Sequence, residues 1–221
     1  MKLKQIHKLL AATAAIVLMT GCATKPPFDY TAFKESRPRS ILVLPPLNNT
    51  PDVQASYSVL SYATVPLAEA GYYVFPVTLV AEAFKENGLS QPAEMHGAPA
   101  DKLRQIFGAD AALYISISKY GTTFQVLNSA TVVTADAKLV DLKTGKVLWT
   151  NTATASSQEG QNQGAGGGLV GMLIVAVVKQ VMATAMDQGH QIAGLTTSRL
   201  LSGGLPNGIL FGPRSPKAGK D

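Results

Sequence analysis

Apolar positions along this chain come in short blocks with different rhythms. The first block is continuous. Leu9 to Met19 reads LLAATAAIVLM and follows Lys2, Lys4 and Lys8. A positive start, an apolar stretch of this length and small residues after it describe a secretory leader. The stretch falls short of the roughly 20 apolar residues that a bilayer-spanning helix needs. Ser40-Ile41-Leu42-Val43-Leu44 is a run of branched side chains closed by Pro45-Pro46. It reads as a buried strand opening into the loop Leu47 to Asp52. In that loop Asp52 or Thr50 is placed to cap a helix. Apolar or aromatic residues at 53, 57, 60, 64 or 65 and 67, near helical spacing, then predict a helix over about Val53–Glu69, with Pro66 as a kink or an end and Gly71 as a stop.

Tyr72 to Phe75 predicts a second short strand, and Val77 to Glu86 a helix ending at Asn87-Gly88. A polar loop carries Pro92, His96 and Pro99. Ala100 to Phe107 predicts a helix with Leu103, Ile106 and Phe107 inward, stopped by Gly108. Ala111 to Ser118 is a strand. In Val133 to Asp141, residues 133, 135, 137 and 139 are apolar against polar 134, 136 and 138, the period of a half-buried strand. A turn at Asp141–Lys146 and a return strand from Val147 make a hairpin. Early βαβα units followed by a hairpin-rich region predict a single α/β domain, a mixed β-sheet packed with helices.

Gln158 to Gly168 reads QEGQNQGAGGG, a flexible composition. Leu169 to Val178 contains no polar residue, and the helix it predicts runs on to Asp187. Glycine and proline then crowd the end of the chain from Gly203. The expected organisation is therefore a lipoprotein leader over 1–21, a lipidated tether over 22–39, the α/β domain over 40–200 and a flexible tail over 201–221.

Composition narrows this picture. With 221 residues, 46% of them hydrophobic and 15% charged, the chain holds one sizeable domain and is no disordered polyelectrolyte. The only cysteine, Cys22, excludes an internal disulfide and a multi-cysteine zinc site. Met19-Thr20-Gly21-Cys22 resembles the bacterial lipobox, in which the Cys thiol is diacylated and the leader is cut before it. Met19 stands where that pattern prefers Leu. An ordinary secretory leader and a buried core cysteine are the bland alternatives. Cleavage before Cys22 removes three lysines and no acid, leaving 16 basic against 14 acidic side chains. A surplus of two makes no case for nucleic acid. The absence of Asp directly after Cys22 resembles the outer-membrane class, with the acyl chains supplying membrane affinity.

Several motifs dissolve when weighed. Gly166, Gly168 and Gly171 match G-x-G-x-x-G, but a long Gln/Gly stretch separates them from the strand upstream. Their first following acid, Asp187, lies at the far end of the predicted helix. Ser116-Ile117-Ser118-Lys119 matches S-x-x-K, which requires a helix. On a strand Ser116 and Lys119 should face opposite sides. His96 and His190 read as solvated rather than ligating. No catalytic residue, metal site or cofactor is expected. The Leu169–Val178 helix reads as core, or as a contact with another protein or the membrane.

Taken in order, four features resemble one family. They are the lipobox, Ile41-Leu42-Val43-Leu44-Pro45-Pro46-Leu47-Asn48-Asn49-Thr50, the Gly108-Ala109-Asp110-Ala111 lead into a strand, and the Asp141-x-x-Thr144-Gly145-x-Val147-x-Trp149 hairpin. The family is that of outer-membrane lipoproteins typified by a neisserial surface-antigen lipoprotein. The resemblance implies a fold similar to the TolB N-terminal domain, to the curli secretion-channel lipoprotein and to lipoprotein activators of peptidoglycan synthases. It brings no catalytic residues.

The expectation is a non-enzymatic envelope lipoprotein, anchored at Cys22 and facing the periplasm, that serves as an adaptor or assembly module. Its contacts would come from Leu47, Asn48, Asn49 and Thr50 in the first loop and from Leu169, Leu173 and Val175 in the apolar helix. The expected partners are the membrane through the lipid, an envelope protein or further copies of the chain, and no nucleic acid. The alternatives are an oligomeric secretion-channel subunit, whose hairpin would place Asp136, Lys138 and Asp141 on a lumen, a regulator of a peptidoglycan synthase, and a hydrolase or transferase of envelope polymers.

Overall fold

The computed structural model describes residues 28–124, 129–159 and 188–220. Six strands make one mixed sheet: β1 (Ser40–Val43), β2 (Leu47–Asn48), β3 (Tyr73–Val74), β4 (Ala111–Phe124), β5 (Ser129–Asp141) and β6 (Val147–Ser156). The spatial order is β3-β1-β4-β5-β6, and β2 pairs with β4 beyond the end of β1. The pairings of β1 with β3, and of β4 with β1 and β2, are parallel. Those of β4 with β5 and β5 with β6 are antiparallel. The helices are α1 (Thr31–Ser36), α2 (Ala55–Glu69), α3 (Val77–Glu86), α4 (Pro92–His96), α5 (Ala100–Phe107) and α6 (Gln188–Leu201).

The alternation in β5 explains the layering. Val133, Ala135, Ala137 and Leu139 are buried on one face, beneath α2 and α6. With Ile41, Leu113, Ile115 and Trp149 they form the main core. Among the described residues the second face is covered only around β1 and the start of β4. There Leu42, Leu44 and Ala112 pack against Val80 and Phe84 of α3, Met95 of α4 and Leu103 of α5. Pro66 is buried inside α2, which runs on to Glu69.

Several expectations need correction. Ile106 does not point inward but is 58% exposed, while Leu103 carries the inward face of α5. β4 does not stop at Ser118. A register shift between Ile117 and Lys119 marks a bulge there. The bulge reverses the alternation, so that Tyr120 turns to the core face, and its hydroxyl lies 2.9 Å from Ser58 Oγ on α2. For the same reason Lys119 and Ser116 share a face rather than opposing one another. Their partners Thr134 and Asp136 both point away from the core. They lie three residues apart along a strand, about 10 Å, and not one helical turn apart.

The described parts of the tether and the tail are not free. Phe33 is buried, and Phe28 and Tyr30 pack against the main core. Residues 28–39 thus belong to the domain, because three aromatic rings in six residues bury too much apolar surface to stay in water. Past Leu201, Ile209 is buried, the Tyr72 hydroxyl donates to the Leu210 carbonyl at 2.6 Å and Gly212 N–H donates to the Ala70 carbonyl at 2.8 Å. Residues 203–220 pack as a strap across the α2–β3 corner. The helix α6 over Gln188–Leu201 had no forecast of its own. Among the described residues no helix is long and apolar enough to cross a membrane. The expected leader, Cys22, the Gln/Gly stretch and the Leu169–Asp187 helix lie outside the described residues.

Candidate functional site

Among the described residues the second helical layer stops short of the sheet's far half, and the site is the stretch it leaves uncovered. There the outward residues of β4, β5 and β6 meet the loop after β1. Leu47, His96, Tyr114, Ser116, Asp136, Lys138, Thr150 and Thr152 line an open cleft of about 480 Å³.

Its wall is built by short hydrogen bonds. His96, half-buried at the end of α4, sets Nε2 2.9 Å from the Pro45 carbonyl oxygen, which fixes the ring proton on that nitrogen. The ring stands edge-on to Tyr114, centroids 5.2 Å apart. Burial lowers the His96 pKa below the usual histidine range, and nearby Lys138 lowers it further, against the pull of the Pro45 carbonyl. His96 is therefore neutral at pH 7 and not a solvated loop residue. Burial raises the Tyr114 phenol. Lys138 lies over the Tyr114 ring, with Nζ 5.2 Å from its centroid. Asp136 Oδ1 accepts from the Thr152 hydroxyl at 2.6 Å. Ser116 Oγ accepts from the Asn49 side-chain amide at 3.1 Å. The cleft thus offers paired hydrogen-bonding groups and a π face. Among the described residues no cluster of three His, Cys, Asp or Glu is placed to hold a metal.

The anticipated loop residues divide. Leu47 lines the cleft, and Asn49 is exposed beside it. Asn48 and Thr50 are used internally. Asn48 Oδ1 accepts from Thr50 N and Thr50 Oγ1, while its amide donates to the Asp52 carbonyl. Neither Asp52 nor Thr50 caps α2, whose N-cap is Gln54 with no side-chain cap bond; Asp52 Oδ1 instead accepts from Gln54 N in the turn before the helix. Leu169, Leu173 and Val175 lie outside the described residues. Sequence reasoning missed His96, Tyr114, Thr150 and Thr152 as neighbours. The alternation in β5 marks 136 and 138 as outward, but nothing local says which stretch of that face a helix fails to cover.

The cleft borders a sheet edge. The outermost strand is β6. The Thr154 carbonyl is taken by Arg199, and Ser156 N–H donates to Glu159, itself paired with Arg199 at 2.5 Å. Both bonds lie on the side away from β5. Alternation then turns the main-chain groups of Thr150 and Thr152 to that same side. Among the described residues an ion pair thus closes one end of the edge, and nothing covers the length beside the cleft.

A known family covers most of the chain. The one described as "Putative lipoprotein GNA1162-like" matches residues 28–214. The chain is 48% identical over 208 residues to "Putative lipoprotein NMB1124/NMB1162" of Neisseria meningitidis serogroup B, a match spanning 93% of this chain and 95% of that protein. The crystal structure of lipoprotein GNA1162 from Neisseria meningitidis superposes with TM-score 0.54 at 49% identity, covering 66% of this chain and 100% of the other. A PelC dodecamer from Paraburkholderia phytofirmans aligns at 15% identity and TM-score 0.44, covering 81% and 93% of the two chains.

Proposed function

The chain belongs to the GNA1162-like lipoprotein family, and from that premise we propose that it is a non-enzymatic envelope adaptor, lipidated at Cys22, that takes an extended segment of an envelope protein against β6. The observation that carries the reading is the edge at Thr150 and Thr152 beside the polar cleft, which no other described residue covers. Main-chain groups on an open edge pair with an incoming strand, and adjoining side-chain pockets select it. Lys138, Asp136 and the Tyr114 ring supply that selection.

Support for the lipid comes from the relatives. The match to the meningococcal protein omits about 15 residues of this chain, fewer than the 21 that precede Cys22, so it takes in the lipobox cysteine. Acyl chains on Cys22 hold the domain at a membrane. We place it at the outer membrane, facing the periplasm.

The test is photocrosslinking in cells from position 150, which lines the same cleft, with mass spectrometry of what is captured. One envelope protein in stoichiometric yield is the expected result, lost in Thr152→Pro, which removes an edge N–H while edge strands tolerate proline. Capture that survives Thr152→Pro overturns the edge reading. Metabolic palmitate labelling that persists in Cys22→Ser overturns the anchor.

A further inference from the structure

The register gathers the start of β1, the start of β4, the end of β5 and the start of β6 at one end of the sheet. Exposed cations collect there. Lys34, Arg37 and Arg39 lead into β1, and Lys143 and Lys146 sit on the β5–β6 turn. The strap adds two more, Arg214 over the Tyr73 ring at 5.4 Å and Lys217 over the Phe211 ring at 5.4 Å. Lys34 and Arg37 share a groove with Phe211. Arg39 and Arg214 share another with Asp110.

Fewer acids lie among them: Asp29, Glu35, Glu69 at the end of α2, Asp110 and Asp141. Two of these are tied into the fold. Asp110 Oδ2 accepts Arg39 N and Ser40 N, and Asp141 accepts the Ser36 hydroxyl and the Thr144 main chain. Among the described residues the ion pairs are Lys85–Glu82 and Arg199–Glu159, and none of these seven cations joins one. The end carries a net positive surface.

The chain enters the fold at this same end. Phe28 N–H donates to Asn207 Oδ1, and the Asn207 carbonyl accepts from Trp149, two residues into β6. Six residues separate Phe28 from Cys22, a reach of at most about 20 Å. β5 alone, at 13 residues, is about 44 Å long. An anchor so short holds the basic end towards the bilayer and the hairpin end away from it.

We propose that this basic end is a membrane-contact surface that binds anionic phospholipid head groups of the bilayer holding the Cys22 lipid. The inference rests on lipidation at Cys22. It supplies the second signal that stable, oriented anchoring requires beyond acyl chains. It also points β6 and the cleft sideways along the membrane plane, free for a partner.

The experiment uses the full-length lipidated protein in phosphatidylcholine vesicles with and without about 30% phosphatidylglycerol. A water-soluble amine reagent labels lysines, read by mass spectrometry. Labelling of Lys34, Lys143, Lys146 and Lys217 should fall about fivefold in anionic vesicles, the discrimination expected of one charge near such a surface. Lys119, exposed eight residues along β4 from Ala111, should not change, and about 0.5 M salt should restore labelling. Lys143→Glu with Lys146→Glu, exposed in the turn, should abolish the anionic-lipid dependence at Lys34 and Lys217 with unchanged circular dichroism. Protein that does not float with zwitterionic vesicles overturns the anchor, and this surface with it. Protein that floats but labels equally in both vesicles overturns the surface alone. Protection that follows protein density rather than lipid charge marks contact between copies and also overturns it.

Discussion

The indole N–H of Trp149 donates to the main-chain carbonyl of Asn207 at 2.9 Å, joining the edge strand to the strap that crosses the domain. Asn207 sits at φ 58°, in the left-handed region, and its Oδ1 accepts Phe28 N–H. One residue thus ties the entry of the chain, β6 and the strap together. Asn207→Ala loses the Phe28 bond and strains the backbone, for a loss of about 2 kcal/mol. Asn207→Gly keeps the backbone conformation and should lose only about 1 kcal/mol. Urea unfolding followed by Trp149 fluorescence orders the two; a glycine variant weaker than the alanine variant contradicts the account.

Adjacent buried threonines on α6 differ in what their hydroxyls meet. Thr196 Oγ1 donates to the Ile192 or Val133 carbonyl, at 2.9 and 3.2 Å, and bridges helix to sheet. Thr197 Oγ1 is buried with no partner among the described residues. Thr197→Val removes a desolvated hydroxyl at equal volume and should gain about 0.5–1 kcal/mol. Thr196→Val should lose about 1 kcal/mol. Thermal unfolding of the two variants should therefore shift in opposite directions, and shifts of the same sign would refute the distinction.

His96 gives the fold a pH dependence of defined sign. Its folded-state pKa lies below the unfolded value, so the native state binds fewer protons between the two. Stability from this group is full above about pH 6.5, the unfolded value, and is lost as pH falls from there to the folded pKa. His96→Gln should be less stable at pH 7.5, through the lost Pro45 contact, yet show a flatter profile between pH 7 and 5. A variant profile as steep as the parent's would locate the titration elsewhere.

What sequence made legible follows from the range over which each signal acts. The helices at 77–86 and 100–107 and the β5–β6 hairpin depend on local period and turn chemistry, and the structure has them there. Residues 28–39 and 203–220 looked like linkers because proline and glycine disguise segments whose order comes from distant partners. Tyr30 donates to Gly208, nearly the whole chain away. The bulge at Ser118 broke the alternation that would have extended β4. The cleft was out of reach for a similar reason. His96 joins it through a carbonyl 51 residues earlier, and Lys138 through a ring on the neighbouring strand. The Cys22 expectation is of another kind, since a lipobox is a signal in linear sequence and needs no fold.

The strap's hold on the domain is itself open to test at a crossing of two glycines. Gly71 takes φ +96° after α2, and a Cβ placed on Gly212 would stand 2.6 Å from the Gly71 carbonyl oxygen. That approach lets Gly212 N–H reach the Ala70 carbonyl and Arg214 N–H the Gly71 carbonyl. Gly212→Ala must push the two backbones apart, at a loss of about 1–3 kcal/mol. The loss should fall on the strap before the sheet, because the strap is held at few points and opens locally. Trypsin reports this directly. Cleavage after Arg214 and Lys217 should quicken in Gly212→Ala under native conditions, while Arg199, paired with Glu159 on α6, stays protected. Equal acceleration at all three sites would mean that strap and sheet unfold as one cooperative unit. The strap would then be part of the core rather than a clasp laid over it.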